Sequence, residues 1–177
     1  MPFGYGLHYT TFSYSWGTKP NTSYAISSLI PDGSGNNTSS VNDASPWTTV
    51  SVNVHNTGKL ASDYVALLFL KTPNAGPLPY PNKWLVSYVR AHGLAAGESQ
   101  EVLLNLNLVA LARASADGDL VLYPGDYEMM LDYDSRLTFN FTLAGSPTLL
   151  DPLARQQPQS FTVPVHPQGC TNGTFCY

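Results

Sequence analysis

Apolar side chains recur at every second position in four separate stretches of this 177-residue chain. A period of two buries one face only if the backbone is extended, so these stretches must be strands. Val50, Val52 and Val54 alternate with Ser51, Asn53 and His55, and Val102, Leu104, Leu106 and Leu108 alternate with polar residues that include Asn105 and Asn107. Tyr127, Met129, Leu131 and Tyr133 repeat the pattern, followed by Leu137, Phe139, Phe141 and Leu143. Tyr64 to Leu70 is almost continuously apolar, which suits a strand buried on both faces, and Trp84 to Val89 makes a further strand. Turn residues separate them at Asn56-Thr57-Gly58, 74–81, Ala96-Gly97-Glu98, Pro124-Gly125-Asp126 and Tyr133-Asp134-Ser135. About seven short strands spaced by about ten residues predict an all-β protein, an antiparallel β-sandwich. One short helical turn is expected, within Leu108 to Ala114.

The polar faces of such strands are built here with little charge. Lys and Arg number 8 and Asp and Glu 12, or 11% of the chain, against about 25% in ordinary globular domains. With 43% hydrophobic residues, charge-driven disorder is excluded. A net charge of −4 excludes a basic surface that tracks phosphates, so no nucleic-acid partner is expected. No apolar run reaches the roughly 18 residues of a membrane span. Ser, Thr and Asn supply the polarity, and five Asn-x-Ser/Thr sequons occur, at Asn21, Asn36, Asn37, Asn140 and Asn172. With Cys170 and Cys176 six positions apart, they predict an extracellular, secreted glycoprotein with a small disulfide loop near the end, a reading preferred to weak metal binding by the thiols. The opening residues hold neither a basic nor an apolar leader segment, so the expectation is a chain that has lost its natural beginning, a truncated product. Residues 31–45 read as a flexible Gly-, Ser- and Asn-rich loop, and 146–177 as an extended tail with one candidate strand at Ser160 to Val165.

A search for catalytic chemistry finds acidic residues at Asp117, Asp119, Asp126, Glu128, Asp132 and Asp134. Strand periodicity puts Glu128 and Asp132 on a solvent face opposite Met129 and Leu131, and Asp132 and Asp134 flank a turn they can cap, so solvated faces and turn caps are expected of this group. Asp117-Gly118-Asp119 lacks the ligand spacing of a calcium loop. His8, His55, His92 and His166 show no metal-ligand spacing, and His55 should be exposed. No nucleophile elbow, phosphate loop or dinucleotide fingerprint is present. No catalytic residue, metal or cofactor is therefore expected. Among the rings able to stack on a sugar, Trp16, Trp47, Trp84, Tyr80 and Tyr88, the preferred carbohydrate contacts are Tyr80, in a Pro-rich loop, and Trp47, at a strand entry.

The stretch Pro2-Phe3-Gly4-Tyr5-Gly6-Leu7-His8-Tyr9-Thr10-Thr11-Phe12 resembles a hallmark of glycoside hydrolase family 3, which leads from the catalytic region into a C-terminal fibronectin type III-like domain. The resemblance continues through Val50 to Gly58, Ser62 to Leu70, Lys83 to Arg90, Leu94 to Ser99 and Tyr123-Pro124-Gly125-Asp126-Tyr127, and reaches Leu143. It covers about 140 residues and is nearest to fungal β-xylosidases, with β-glucosidases less similar. It implies an immunoglobulin/fibronectin type III-like sandwich over 14–145, a linking motif over 1–13, and a role as accessory domain of a secreted xylan-degrading enzyme. The family's Asp nucleophile and Glu acid/base lie in domains upstream, nothing here matches their motifs, and the chain alone should be inactive. Phe3, Tyr5, Leu7, Tyr9 and Phe12 would then pack on the catalytic domains, the expected partner, with polysaccharide a further one. The alternative is a stand-alone carbohydrate-binding or structural β-sandwich module.

Overall fold

The computed structural model describes residues 5–30, 47–134 and 137–153. Phe3, Asn36, Asn37, the 31–45 loop, Ser160 to Val165, His166, Cys170, Asn172 and Cys176 lie outside the described residues. Eleven short strands form the described chain: β1 (Phe12–Trp16), β2 (Ser23–Ala25), β3 (Thr48–Asn56), β4 (Ser62–Lys71), β5 (Trp84–Leu94), β6 (Ser99–Leu106), β7 (Arg113–Ala114), β8 (Leu120–Leu122), β9 (Gly125–Leu131), β10 (Leu137–Ala144) and β11 (Thr148–Asp151). A four-residue helix, α1 (Ile26–Leu29), follows β2, and a single 3-10 turn, Val109–Leu111, falls inside the stretch where one helical turn is expected.

Two sheets face each other. One has the order β1-β3-β6, the other β2-β10-β9-β4-β5, and a small third sheet, β11-β8-β7, accompanies them. All pairings are antiparallel except β2 with β10. The alternating residues meet between the sheets: Val50, Val52, Val54, Leu104 and Leu106 from one, Leu68, Leu70, Met129, Leu131, Phe141 and Leu143 from the other, all buried. Inward alternation thus explains the core, since a one-residue slip would turn each set to water. Tyr127 donates its hydroxyl hydrogen bond to the carbonyl of Tyr123 at 2.7 Å. That bond satisfies a buried phenol and fixes the approach into β9, as in the tyrosine corner of immunoglobulin-like sandwiches.

Four expectations need correction. Residues 146–177 are not all extended tail, because β11 pairs with β8 and Leu150 joins the core, so the sandwich runs past residue 145. β4 is buried on both faces only in part: Tyr64, Ala66, Leu68 and Leu70 are buried inward, but outward only Phe69 is fully covered, while Val65 and Leu67 are half-buried. Phe69 owes its cover to Met130 beside it and to the Lys83 ammonium 4.4 Å from its ring centre. Ser51, which alternation assigns to solvent, is buried, because the Gly17 and Thr18 backbone lies over it, accepting and donating hydrogen bonds at 2.7–3.0 Å. His55 is half-buried rather than exposed, held 2.8 Å from the Ser99 hydroxyl on the neighbouring strand.

Candidate functional site

Residues 5–11 run as a strap against one end of the sandwich, and a buried amide holds one of its anchor points. Asn56 ends β3 with no solvent exposure. Its Oδ1 accepts from the Thr10 hydroxyl at 2.7 Å and the Gly58 N–H at 3.1 Å, and its Nδ2 donates to the carbonyls of Leu60 at 2.8 Å and Leu94 at 2.9 Å. An amide has two donors and two acceptor sites, so all four are used. Thr57 adds a backbone bond to the Thr11 carbonyl at 2.8 Å. A Cβ at Gly58 would collide with Thr10, so glycine is required there for the strap to lie this close.

Beyond this anchor the chain's apolar residues divide. Phe12 turns inward and joins the core, 5.1 Å from the Tyr64 ring, so it is a packing residue of this sandwich and not a surface for another domain. Leu7 is 80% and Tyr9 94% exposed, and Tyr5 is exposed while its ring meets Tyr133 edge-on at 5.0 Å. His8 leans on Phe12 at 5.2 Å and on Tyr64 at 5.9 Å. Beneath the strap is a cleft of about 210 Å³, lined by Gly6, His8, Tyr64, Leu67, Asp132 and Tyr133 among others.

Asp132 overturns its expected place on a solvent face. It follows β9 at φ 61°, a left-handed conformation that turns its side chain back into the sandwich, and it is buried. Its carboxylate accepts from the Tyr64 hydroxyl at 2.6 Å and the Leu67 N–H at 3.3 Å, and its own N–H donates to the Leu67 carbonyl at 2.8 Å. Asp tolerates this backbone region better than most residues. Burial above all, and then the Asp132 charge, push the Tyr64 phenol far above its ordinary range; burial raises Tyr127 as well, opposed by Arg113. Both folded values exceed the unfolded value of about 10. The stability they contribute is therefore complete below about pH 10 and is lost as pH rises beyond it. In an alkaline titration, the last tyrosines to ionise should do so only together with loss of the native circular dichroism. Complete reversible ionisation with the native spectrum retained would refute this.

Three further carboxylates serve the fold. Asp126 accepts from Asn74 Nδ2 at 2.8 Å and the Thr142 hydroxyl at 3.1 Å, Glu128 lies 3.8 Å from Lys71, and Asp119 accepts the Leu153 N–H at 2.9 Å. Asp126 and Glu128 share an open groove of about 590 Å³ with Lys71, Asn140 and Thr142, yet each is engaged by its own sheet. Among the described residues, no three of His, Cys, Asp or Glu are grouped to hold a metal ion. Nor is any described helix long and apolar enough to cross a membrane.

The two rings preferred for sugar contact lie in separate surroundings. Trp47 is half-buried, its ring 5.0 Å from Tyr24 and 6.1 Å from Phe141, so it closes the core edge. Tyr80 is half-buried with the Arg113 guanidinium 5.2 Å from its ring centre. That guanidinium also donates to the carbonyls of Ala75, Pro77 and Pro79, so one arginine gathers residues 75–79 of the loop between β4 and β5. Sequence reasoning missed both organising side chains, Asn56 and Arg113. A motif search looks for chemistry toward a ligand, whereas these two face their own backbone. The sequons within the described residues, Asn21 and Asn140, are exposed; Asn140 points outward from β10.

Residues 64–135 match the family model of the fibronectin type III-like domain. The "Probable exo-1,4-beta-xylosidase" of Aspergillus flavus is 44% identical over 158 residues, which are 89% of this chain and 20% of that protein. Its counterpart in Aspergillus fumigatus is 45% identical over 153 residues, 85% of this chain and 20% of its own. The chain thus spans about one fifth of the length of these curated relatives. Among solved structures, a GH3 exo-β-xylosidase bound to a xylobiose aziridine probe superposes with a TM-score of 0.73 at 34% identity, over 86% of this chain and 20% of that one. β-Glucosidase 3B of Thermotoga neapolitana gives 0.62 at 25% identity, over 85% of this chain and 18% of its own.

Proposed function

From a chain whose sandwich is a fibronectin type III-like domain matching the C-terminal part of family 3 β-xylosidases, we propose an accessory role in a secreted xylan-degrading enzyme. It packs against the catalytic portion, stabilises it, and contributes no catalytic residue. The observation that carries this reading is the reach of the similarity. At 44% identity it extends over 89% of the chain, well beyond residues 64–135. The exposed Tyr5, Leu7 and Tyr9 of the strap support it, since neighbouring apolar side chains in water suit a surface that another domain covers. The exposed sequons at Asn21 and Asn140 support secretion.

The purified 177-residue chain should release no product from an aryl β-xyloside. Deleting the matching C-terminal fifth of the Aspergillus flavus relative should abolish secretion of active enzyme, and grafting this chain in its place should restore it. Turnover by the chain alone would refute the accessory reading. Retarded migration in soluble xylan would favour the alternative of a carbohydrate-binding module.

A further inference from the structure

The outer surface of the five-stranded sheet changes character from one edge to the other. Residues paired across strands share a face, and the register Val65↔Arg90, Leu67↔Tyr88 and Phe69↔Leu85 puts Val65, Leu67, Leu85 and Tyr88 outward at the β4–β5 side. None of them belongs to the core between the sheets. Tyr88 is 71% exposed. Toward β10 the same face becomes polar, through Glu128↔Asn140 and Asp126↔Thr142.

Two independent features fix what each half meets. Asn140 on β10 and Asn21 just ahead of β2 both sit at the far edge, three and four strand steps from β5. At about 4.8 Å per step that is roughly 14–19 Å. A glycan on either would keep that edge in water. The basic side chains beside the apolar half are meanwhile engaged inside the chain. Arg90 and His92 lie 3.2 and 3.3 Å from Asp63, which also accepts the Gly93 N–H at 2.8 Å; Lys83 donates to the Tyr133 carbonyl. The face therefore offers apolar area with little net field, and the strap borders it, because Gly6 and His8 share a cleft with Val65 and Leu67. In the relatives, four fifths of the protein lies outside the matched segment, and the segment matches their C-terminal part. The preceding polypeptide would thus arrive along the strap, next to this face.

We propose that the β4–β5 outer face, with Leu7 and Tyr9 of the strap, is the surface that receives the catalytic portion, through an apolar, weakly charged patch on that partner. This rests on the accessory-domain reading above. The test is a chimera in which this chain replaces the matching segment of the Aspergillus flavus xylosidase. The triple variant Leu7→Glu/Tyr9→Glu/Tyr88→Glu should lower the secreted xylosidase activity several-fold. Leu103→Glu, at a leucine 58% exposed on the other sheet, should leave it unchanged. In the isolated chain the triple variant should unfold at the same urea concentration as the parent. Equal losses from both variants, a loss from Leu103→Glu alone, no loss from either, or a matching fall in the isolated chain would each overturn the assigned face while sparing the accessory reading. A parent chimera without activity would overturn the accessory reading itself.

Discussion

Asn56→Ala should lower the unfolding free energy of this chain by about 3–4 kcal/mol. The amide makes four hydrogen bonds at a position without solvent exposure. Each such bond contributes about 0.5–1.5 kcal/mol net, and a buried partner left unsatisfied costs about 1–3 kcal/mol. Simple addition would exceed the estimate, but Thr10 and Gly58 lie close enough to the surface for water to reach them after the substitution. Of the two carbonyls left without a donor, that of Leu60 belongs to an exposed residue, so the buried one of Leu94 carries most of the loss. Urea denaturation should show a lower midpoint with an unchanged slope. Asn56→Asp should not rescue it, because a carboxylate would face those two carbonyls with no proton to donate. A tolerated aspartate at neutral pH would mean that donation from Nδ2 to those carbonyls contributes little to stability. Hydrogen exchange gives a second reading: the Thr57 amide, bonded to the Thr11 carbonyl, should lose protection in Asn56→Ala before the rest of β3 does.

The second large effect is expected at Asp132. Asp132→Ala removes the acceptor of a buried phenol and of the Leu67 amide, and places a Cβ residue without a polar side chain at φ 61°. Hydrogen bonds to a charged group contribute about 1.5–3 kcal/mol, and the left-handed conformation adds about 1 kcal/mol for alanine, so a loss of about 3–4 kcal/mol is expected. The two causes separate experimentally. Asp132→Gly should be about 1 kcal/mol less damaging than Asp132→Ala, because glycine adopts this backbone without strain. Tyr64→Phe should cost less than either and should show strong coupling to Asp132→Ala in a double-mutant cycle. Additive losses would mean that the 2.6 Å contact contributes nothing of its own.

These two residues also show how far the sequence could be read. Alternation located the core strands because burial on one face leaves a periodic trace, and β3, β6, β9 and β10 fall where Val50, Val102, Tyr127 and Leu137 begin their series. The same rule misplaced Asp132, since one residue at positive φ reverses the direction of its side chain at the strand end. It misplaced Ser51 for a different reason: the covering segment, Gly17 and Thr18, is distant in sequence and has no apolar pattern. Strand β1 and helix α1 were invisible as elements; β1 lies next to a resemblance motif, and α1 is too short for a helical period to register. In the strap the composition could not distinguish Phe12, which turns inward where it pairs with Asn56, from Leu7 and Tyr9, which are exposed. Asn56 itself read as a turn residue. Its four contacts come from residues 10, 58, 60 and 94, and no local pattern reports a partner 46 or 38 positions away.

Among the described residues strand β5 ends the order of its sheet, so no described strand pairs with the outer row of its amides and carbonyls. At eleven residues it is long for such a margin, and an open margin of that length invites a second copy to add its own strand. What counters this is shape. The pairing of β4 with β5 shifts register twice, at Ser62/Tyr64 and at Leu68/Phe69, and Gly93 sits at φ 62° near the end. Each irregularity twists the margin, so a straight strand laid along it finds matched partners only over short stretches. Such a margin is a poor template for an added strand through its shape and not through charge repulsion, in keeping with a polypeptide that has so few charges to spare.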